Sequence, residues 1–484
     1  MLTLRNIKVW DTDEIIDLKV PADGTLFEDG GSVSPENGAD GDVEIDATGL
    51  TLAPGFADPH VHFRDPGQTY KESMASGCAA AASGGYTDVL IMPNTVPAMD
   101  GETIDDPDAP GAKEVLDSGY DTVIDYLQHY EAIHGVSLPV RYDLCVCASK
   151  GRAGREATEL EHWRRYMLGV DDDSKDDAQL AHPVTAISDD GSAVTPEILD
   201  DVLELARESG LCLIEHCEHH DTGAVNEGPV SRELGVPGIP EDTELKVVAR
   251  DIAKARETGV HVHFQHVSTA ISFDAIRAAK AEGLPITCET APHYLALSDE
   301  ALLKYGTLAK MNPPLRSEAD RKATIAAIAD GTVDLLATDH APHTMEEKAR
   351  GFLEAPNGII GLECAYGVCH AKLVDGGFIS DKRLIELMSV EPMRLMGHEP
   401  TDVTALLDRE TDASREPDAK RVLDLTRPGE ADGIGLVVLD TAAEWTVDPE
   451  AFHSKARNTP FGGWRVTGRP MATIIGRNLT FSRL

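Results

Sequence analysis

The chain has 484 residues, 42% of them apolar, and a formal net charge of −41 at pH 7. That length is too great for one compact core unless the core is a barrel of ~250 residues or more carrying an accessory domain. The charge argues against nucleic acid or an anionic membrane surface as a partner, since both would be repelled.

In chain order, the first elements are short strands and turns: LTLRNIKVW, EIIDLKV, the Gly/Asp-rich EDGGSVSPENGADGD, and VEIDATGLTLAPG. A similar texture returns near the end in GIGLVVLDT, EWTVD and MATIIGRNLTF, which predicts one small β-sandwich domain built from residues 1–53 plus 430–484. Between them the rhythm changes. Eight apolar runs, GFADPHVHF, DVLIMPN, VRYDLCVCAS, VTAISDDG, LCLIEHCE, VHVHFQHVS, PITCETAPHY and VDLLATDHAPH, are separated by helix-like segments such as PEILDDVLELARESG and TELKVVARDIAKARETG. This predicts an α/β fold, a (β/α)8 TIM barrel over residues 54–398. A doubly wound open sheet is the other reading of the pattern, weakened by the absence of a Gly-rich fingerprint after the first strand. Two acidic, apolar-poor stretches, 169–182 and 399–420, read as solvated loops, and 399–429 as an acidic linker between barrel and returning strands.

Eight cysteines are too sparse for a disulfide scaffold and fall mostly in apolar runs, so buried thiols are expected. The first residues alternate like a strand and lack a signal-peptide core. No apolar run approaches the ~18 residues of a membrane span. A cytoplasmic, soluble protein is the expectation.

The informative fact is where polar residues fall. His60 and His62 end the first predicted strand, Asp190 the fourth, His216 the fifth, His266 the sixth and Asp339 the eighth. In a barrel all these ends open on one face. Imidazoles and carboxylates converging there make a zinc-type site. A lone His at a strand end is more often a hydrogen-bonded core residue, but the i, i+2 pair His60/His62 shares a strand face, as chelation requires. Six such residues exceed the needs of one zinc and imply two metals ~3.5–4 Å apart. His261 and His263 also form an H-x-H pair, but by parity they point away from the side His266 takes, and they are read as structural.

Eight motifs, PGFADPHVHFRDPG (54–67), MPNT (92–95), SDDG (188–191), EHCE (215–218), HVST (266–269), KMNPPLR (310–316), ATDHAPH (337–343) and NTPF (458–461), resemble in type and order those of the amidohydrolase superfamily, specifically the bacterial-type (class I) dihydroorotases. The resemblance implies that His60, His62 and Asp339 hold one Zn2+, that His216 and His266 hold a second, and that Asp190 bridges them. Asp189 is the rival bridge. Many amidohydrolases place a carboxylated lysine at the end of strand four; VTAISDDG offers none, and Lys150 follows strand three. Asp339, ligand and neighbour of the activated water, is the natural catalytic proton shuttle.

The implied reaction is the reversible cyclisation of N-carbamoyl-L-aspartate to L-dihydroorotate in pyrimidine biosynthesis. Arg64, two residues beyond His62 on the same strand parity, offers a planar pair of donors to the substrate carboxylate. The resemblance adds Asn94 to that clamp, His62, Asn312 and His343 near the ring, and backbone groups of Asn357-Gly358. Position 357 departs from the aromatic residue usual in these relatives. As partners it admits a homodimer and an association with aspartate carbamoyltransferase. The rivals are a hydantoinase or allantoinase, disfavoured by Asp190 in place of lysine, and a non-catalytic scaffold, disfavoured by the complete ligand set.

Overall fold

A computed structural model describes residues 1–21, 26–28, 31–33, 42–169, 180–218, 223–409, 420–427 and 433–484. Of the stretches expected as solvated loops and linker, 170–179, 410–419 and 428–429 lie outside the described residues. The described part of 399–429 is no bare linker: the helix Val403–Arg409 buries Val403 and Leu407, and the strand Val422–Asp424 joins the terminal sheet, because their apolar residues pack into the sandwich core.

Eight parallel strands run in sequence order, Phe56–Val61, Tyr86–Ile91, Arg141–Cys147, Val184–Ser188, Cys212–Glu215, Val262–Phe264, Ile286–Thr290 and Leu335–Leu336. A bridge from Val61 to His340, with His62 N donating to His340 O at 3.0 Å, joins last strand to first and closes the barrel. The strands read as unbroken apolar runs because helices cover their outer side while packed side chains fill the interior. Among the covering helices are Met74–Ser83, Leu199–Ser209, Asp242–Thr258 and Glu318–Ala329. The first of these, MASGCAAAAS, is built mostly of small residues and packs close: a Cβ on Gly77 would stand 2.5 Å from the Phe63 ring.

The two ends of the chain meet in one ten-stranded sheet. From one edge it runs Val422–Asp424, Ile15–Val20, Leu2–Val9, Thr51–Pro54, Gly435–Thr446, Arg465–Ile475, Asn478–Ser482, then 26–28 and 31–33; Val43–Asp46 pairs beside Leu2–Val9. The strand 435–446 shows how the sheet serves two cores. Leu436 and Val438 join Leu4, Leu18 and Ile474 inside the sandwich, whereas Val437 and Leu439 pack into the barrel's cluster with Phe56 and Tyr86. Period-two alternation sends successive side chains to opposite faces. Thr473 Oγ1, donating to Ala82 O at 2.7 Å, pins the sheet to the first barrel helix. All eight cysteines are buried and free, as expected. Among the described residues no helix is long and apolar enough to cross a membrane.

Candidate metal centre and substrate pocket

The strand ends deliver the polar residues to one place. His60 lies within its strand; His62, Asp190, His216, His266 and Asp339 lie one to three residues past the ends of theirs. His266 and Asp339 have left-handed backbone, φ 36° and 48°. Such conformations cost on the order of 1–3 kcal/mol and persist where surrounding structure over-determines them. Here they turn each side chain inward as its strand finishes.

Asp190 sits at the middle. Its Oδ1 is 3.3 Å from His60 Nε2, 3.3 Å from His216 Nδ1 and 3.8 Å from His266 Nε2, while Oδ2 is 3.4 Å from His62 Nε2. Asp339 Oδ1 faces His62 Nε2 at 3.1 Å and His60 Nε2 at 3.5 Å. Asp189 turns away and accepts from Ser149 N (2.9 Å) and Oγ (2.5 Å). Lys150 is spent on Glu156 and Glu159 at the surface.

The six residues form three overlapping triads of buried donors, each with ligand atoms within 4.8 Å of one another: His60–His62–Asp190, His60–His266–Asp339 and Asp190–His216–His266. Acceptors around them set the right tautomers. His60 Nδ1 donates to Glu289 Oε1 (2.6 Å) and His62 Nδ1 to Asn94 Oδ1 (2.8 Å), which leaves both Nε2 lone pairs facing inward. Four imidazoles and two shared carboxylates, all buried, fit divalent cations better than they fit each other: His266 Nε2 and His216 Nδ1 stand only 2.9 Å apart, and His266 Nδ1 has no partner. Burial raises the carboxyl groups of Asp190 and Asp339, yet His60 and His62 outweigh it and hold both below the usual range.

Beneath the centre Glu289 Oε2 accepts from His263 Nε2 at 3.1 Å. The parity expectation for His263 was therefore wrong: its side chain faces the barrel interior. The strand ends at Phe264, and the left-handed backbone at His266 breaks the alternation on which parity counting relied. The same applies to Arg64. The strand stops at Val61, and Arg64, φ 57°, reaches the pocket through a turn rather than by strand parity.

Above the centre lies a pocket of about 260 Å3, at the small end for ligand sites, which suits a metabolite. Arg64, Asn94, Asn312 and His343 line it together with the turn Asn357-Gly358. The Arg64 guanidinium makes no hydrogen bond or ion pair among the described residues, and its buried Nε has no partner. Burial pulls its pKa down to about 10 against the pull of Asp339 and Asp190. His343 is a neutral imidazole, pushed down to about 2 by burial and then by Arg64 and Lys71. Asn312 Nδ2 stands 3.3 Å from His216 Nε2 and couples pocket to metal centre.

Sequence reasoning missed the residues that hold the pocket loops. Asn458 receives His343 N at 3.1 Å and donates to Ala341 O and Gly358 O at 3.0 Å each. The buried Lys348 ammonium donates to Lys310 O (3.2 Å), Pro356 O (3.0 Å) and Gly358 O (2.9 Å). Asn458 sat inside a noted motif; nothing local marks Lys348, an ordinary basic residue at a helix end. Asp58 accepts from His60 N (3.1 Å) and from Thr338 N (3.2 Å) and Oγ1 (2.5 Å), and so fixes the first ligand strand against the last.

The model of the amidohydrolase family matches residues 51–401. The chain belongs to the amidohydrolase family. Similar curated relatives include a dihydroorotase of Citrifermentans bemidjiense, 38% identical over 482 residues and 98% of each chain, and one of Anaeromyxobacter dehalogenans, 39% identical over 438 residues, 89% of this chain and 86% of that one. Among solved structures, a D-hydantoinase (dihydropyrimidinase) from Thermus sp. matches at TM-score 0.69 and 22% identity, covering 100% of this chain and 95% of its own. A dihydropyrimidinase from Brevibacillus agri matches at 0.70 and 20%, covering 99% and 95%. These structures share the barrel-and-sandwich fold. The family is metal-dependent, in keeping with the six-donor cluster.

Proposed function

We propose that this amidohydrolase is a dihydroorotase, interconverting N-carbamoyl-L-aspartate and L-dihydroorotate in pyrimidine biosynthesis. The observation that carries the reading is an uncommitted guanidinium, Arg64, opening into the same small pocket as the six metal-type donors. A cyclic amide bearing a carboxylate satisfies both. The full-length likeness to dihydroorotases supports it.

His60, His62 and Asp339 would hold one Zn2+, His216 and His266 another, with Asp190 shared. Bound there, two zinc ions would lower the pKa of water toward ~7 and polarise the ring amide carbonyl. Arg64 and Asn94 orient the carboxylate, while His343 Nε2 and the 357–358 turn fix the ring. His343 Nδ1, 3.5 Å from the Lys71 ammonium, is the acceptor side, so Nε2 carries the proton toward the pocket. In hydrolysis the attacking water's proton passes to Asp339, the carbonyl carbon–nitrogen bond breaks, and Asp339 returns the proton to the departing nitrogen. In ring closure Asp339 takes the proton from the ureido nitrogen and passes it to the departing carboxylate oxygen, which leaves as water after taking one more proton from solvent. Asp190 stands where a hydantoinase-type centre needs a lysine, and Arg64 has no task on a neutral hydantoin. Cytoplasmic location, a homodimer and association with aspartate carbamoyltransferase belong to the same reading; sedimentation with and without that enzyme tests the last two.

The test is an ultraviolet assay of dihydroorotate hydrolysis beside hydantoin and allantoin, with metal content measured on the same sample. Dihydroorotate turnover with about two zincs per chain is expected. Brisk hydantoin turnover without dihydroorotate turnover would sink the assignment.

A further inference from the structure

Arg152 lies in the turn Lys150–Arg152 after the third barrel strand, with left-handed backbone at φ 53°. The turn is pinned: Arg152 N donates to Ser149 O (2.9 Å), Gly151 N to Asp100 Oδ2 (2.6 Å) and Gly154 N to Ser149 Oγ (2.9 Å). The guanidinium it presents is uncommitted. Among the described residues Arg152 makes no side-chain hydrogen bond or ion pair, and its Nε is buried without a partner. The chain has 84 acidic residues against 43 basic ones, so a missing partner does not reflect a shortage of carboxylates. Asp189, the acid at the neighbouring strand end, has both oxygens engaged by Ser149.

Its position relates it to the pocket. A Cβ built on Gly191, which lines the pocket, would meet Arg152 Nη2 at 2.8 Å and Asn94 Nδ2 at 3.7 Å. The lack of a side chain at Gly191 therefore lets Arg152 Nη2 come close to the pocket wall, with Asn94 Nδ2 near the same point. Arg152 is also among the charges that act directly on Arg64. Arg152 also acts on the Asp189 carboxylate, and Arg64 feels those of Asp339 and Asp190; a further anion reached by both guanidiniums would ease the repulsion between them. A carboxylate has two oxygens and about four lone-pair sites, enough for Arg64, Arg152 and Asn94 together.

We propose that Arg152 is a second specificity-determining residue, which with Arg64 and Asn94 grips the one carboxylate the substrate keeps on both sides of the reaction. The inference rests on the dihydroorotase reading and deepens it. Because open and closed substrates both carry that group, loss of Arg152 weakens both directions by the same factor.

The experiment uses the metal-loaded full chain and its R152M and R152K variants. KM for dihydroorotate should rise about tenfold in R152M, the size of one charge-assisted hydrogen bond, with part regained in R152K. Dihydrouracil, the same ring without the carboxylate, is the control competitor. Its inhibition constant should shift less than about twofold in either variant, which a merely structural role for Arg152 would not produce. An unchanged KM in R152M, or a dihydrouracil constant that rises in step with KM, would overturn the proposal while leaving the dihydroorotase reading intact. A wild type that does not turn over dihydroorotate would overturn both.

Discussion

At the end of the barrel where the strands begin, Arg141 grips Asp88 through Nε–Oδ1 at 2.7 Å and Nη2–Oδ2 at 2.8 Å, and His398 closes on Asp143 at 2.6 Å. At the end where the strands finish, Arg64 and Arg152 have no such partners among the described residues, and five ligand-type side chains crowd around Asp190. Both ends are polar and largely buried, built on the same eight strands. At the first, folding alone satisfies the charges. At the second the chain leaves them facing a pocket, at a cost in stability that a bound cation or anion offsets. Unsatisfied charge, more than burial or polarity, separates the working end from the structural one.

The comparison breaks most readily at Asp339. Asp339→Asn keeps the shape but removes the proton acceptor, and turnover of dihydroorotate should fall about a thousandfold or more. Retained turnover would mean that another group carries the proton. Next comes the support under the metal centre. Glu289→Gln weakens the hold on His60 Nδ1, and metal retained after dialysis against a chelator should reflect a roughly 10- to 100-fold loss of affinity. An unchanged metal content would show that His60 needs no anchor.

Arg64→Met tests the open guanidinium itself. We expect a loss of about 1.5–3 kcal/mol of carboxylate binding, seen as a roughly ten- to hundredfold rise in KM. Equal weakening of dihydrouracil would turn the clamp into a mere packing residue. The smallest effect belongs to Lys348, a buried cation whose ammonium is engaged by three carbonyls. Its replacement by Met takes a donor from three carbonyls, of which Gly358 O keeps Asn458 and Lys310 O keeps Gly358 N, lowers the melting temperature and costs about 1–3 kcal/mol.

Lys348 also has a pH signature. Burial, and then the Lys310 ammonium, push its pKa down to about 7. Above that value the unfolded chain binds more protons at this position than the folded one, so wild-type stability gains with pH until the unfolded lysine also deprotonates. The wild-type melting temperature minus that of K348M should therefore grow from about pH 6 to about pH 9. A flat difference would mean that the three carbonyls keep the ammonium charged throughout.

Much of this site could be read directly because barrel geometry sends every strand end to one face. His60, His62, Asp190, His216, His266 and Asp339 each follow an apolar run, and that position alone predicts that they meet. Parity counting failed where the backbone turned left-handed. His263 faces the interior and Arg64 arrives through a turn, since alternation holds only while the strand continues. The loop anchors Asn458 and Lys348 were illegible for another reason: their partners are backbone groups 100 and 117 residues away for Asn458 and on loops flanking the pocket for Lys348.

By itself, then, the sequence determined the barrel, the sandwich made from both termini, and the residue types of the candidate metal donors, because periodicity and residue type are local properties. Which carboxylate sits among the histidines, how Glu289 fixes the tautomer of His60, and why Arg152 reaches Gly191 at the pocket wall were decided only in three dimensions. Those outcomes depend on distances between segments far apart in the chain, which close packing sets and no local pattern encodes.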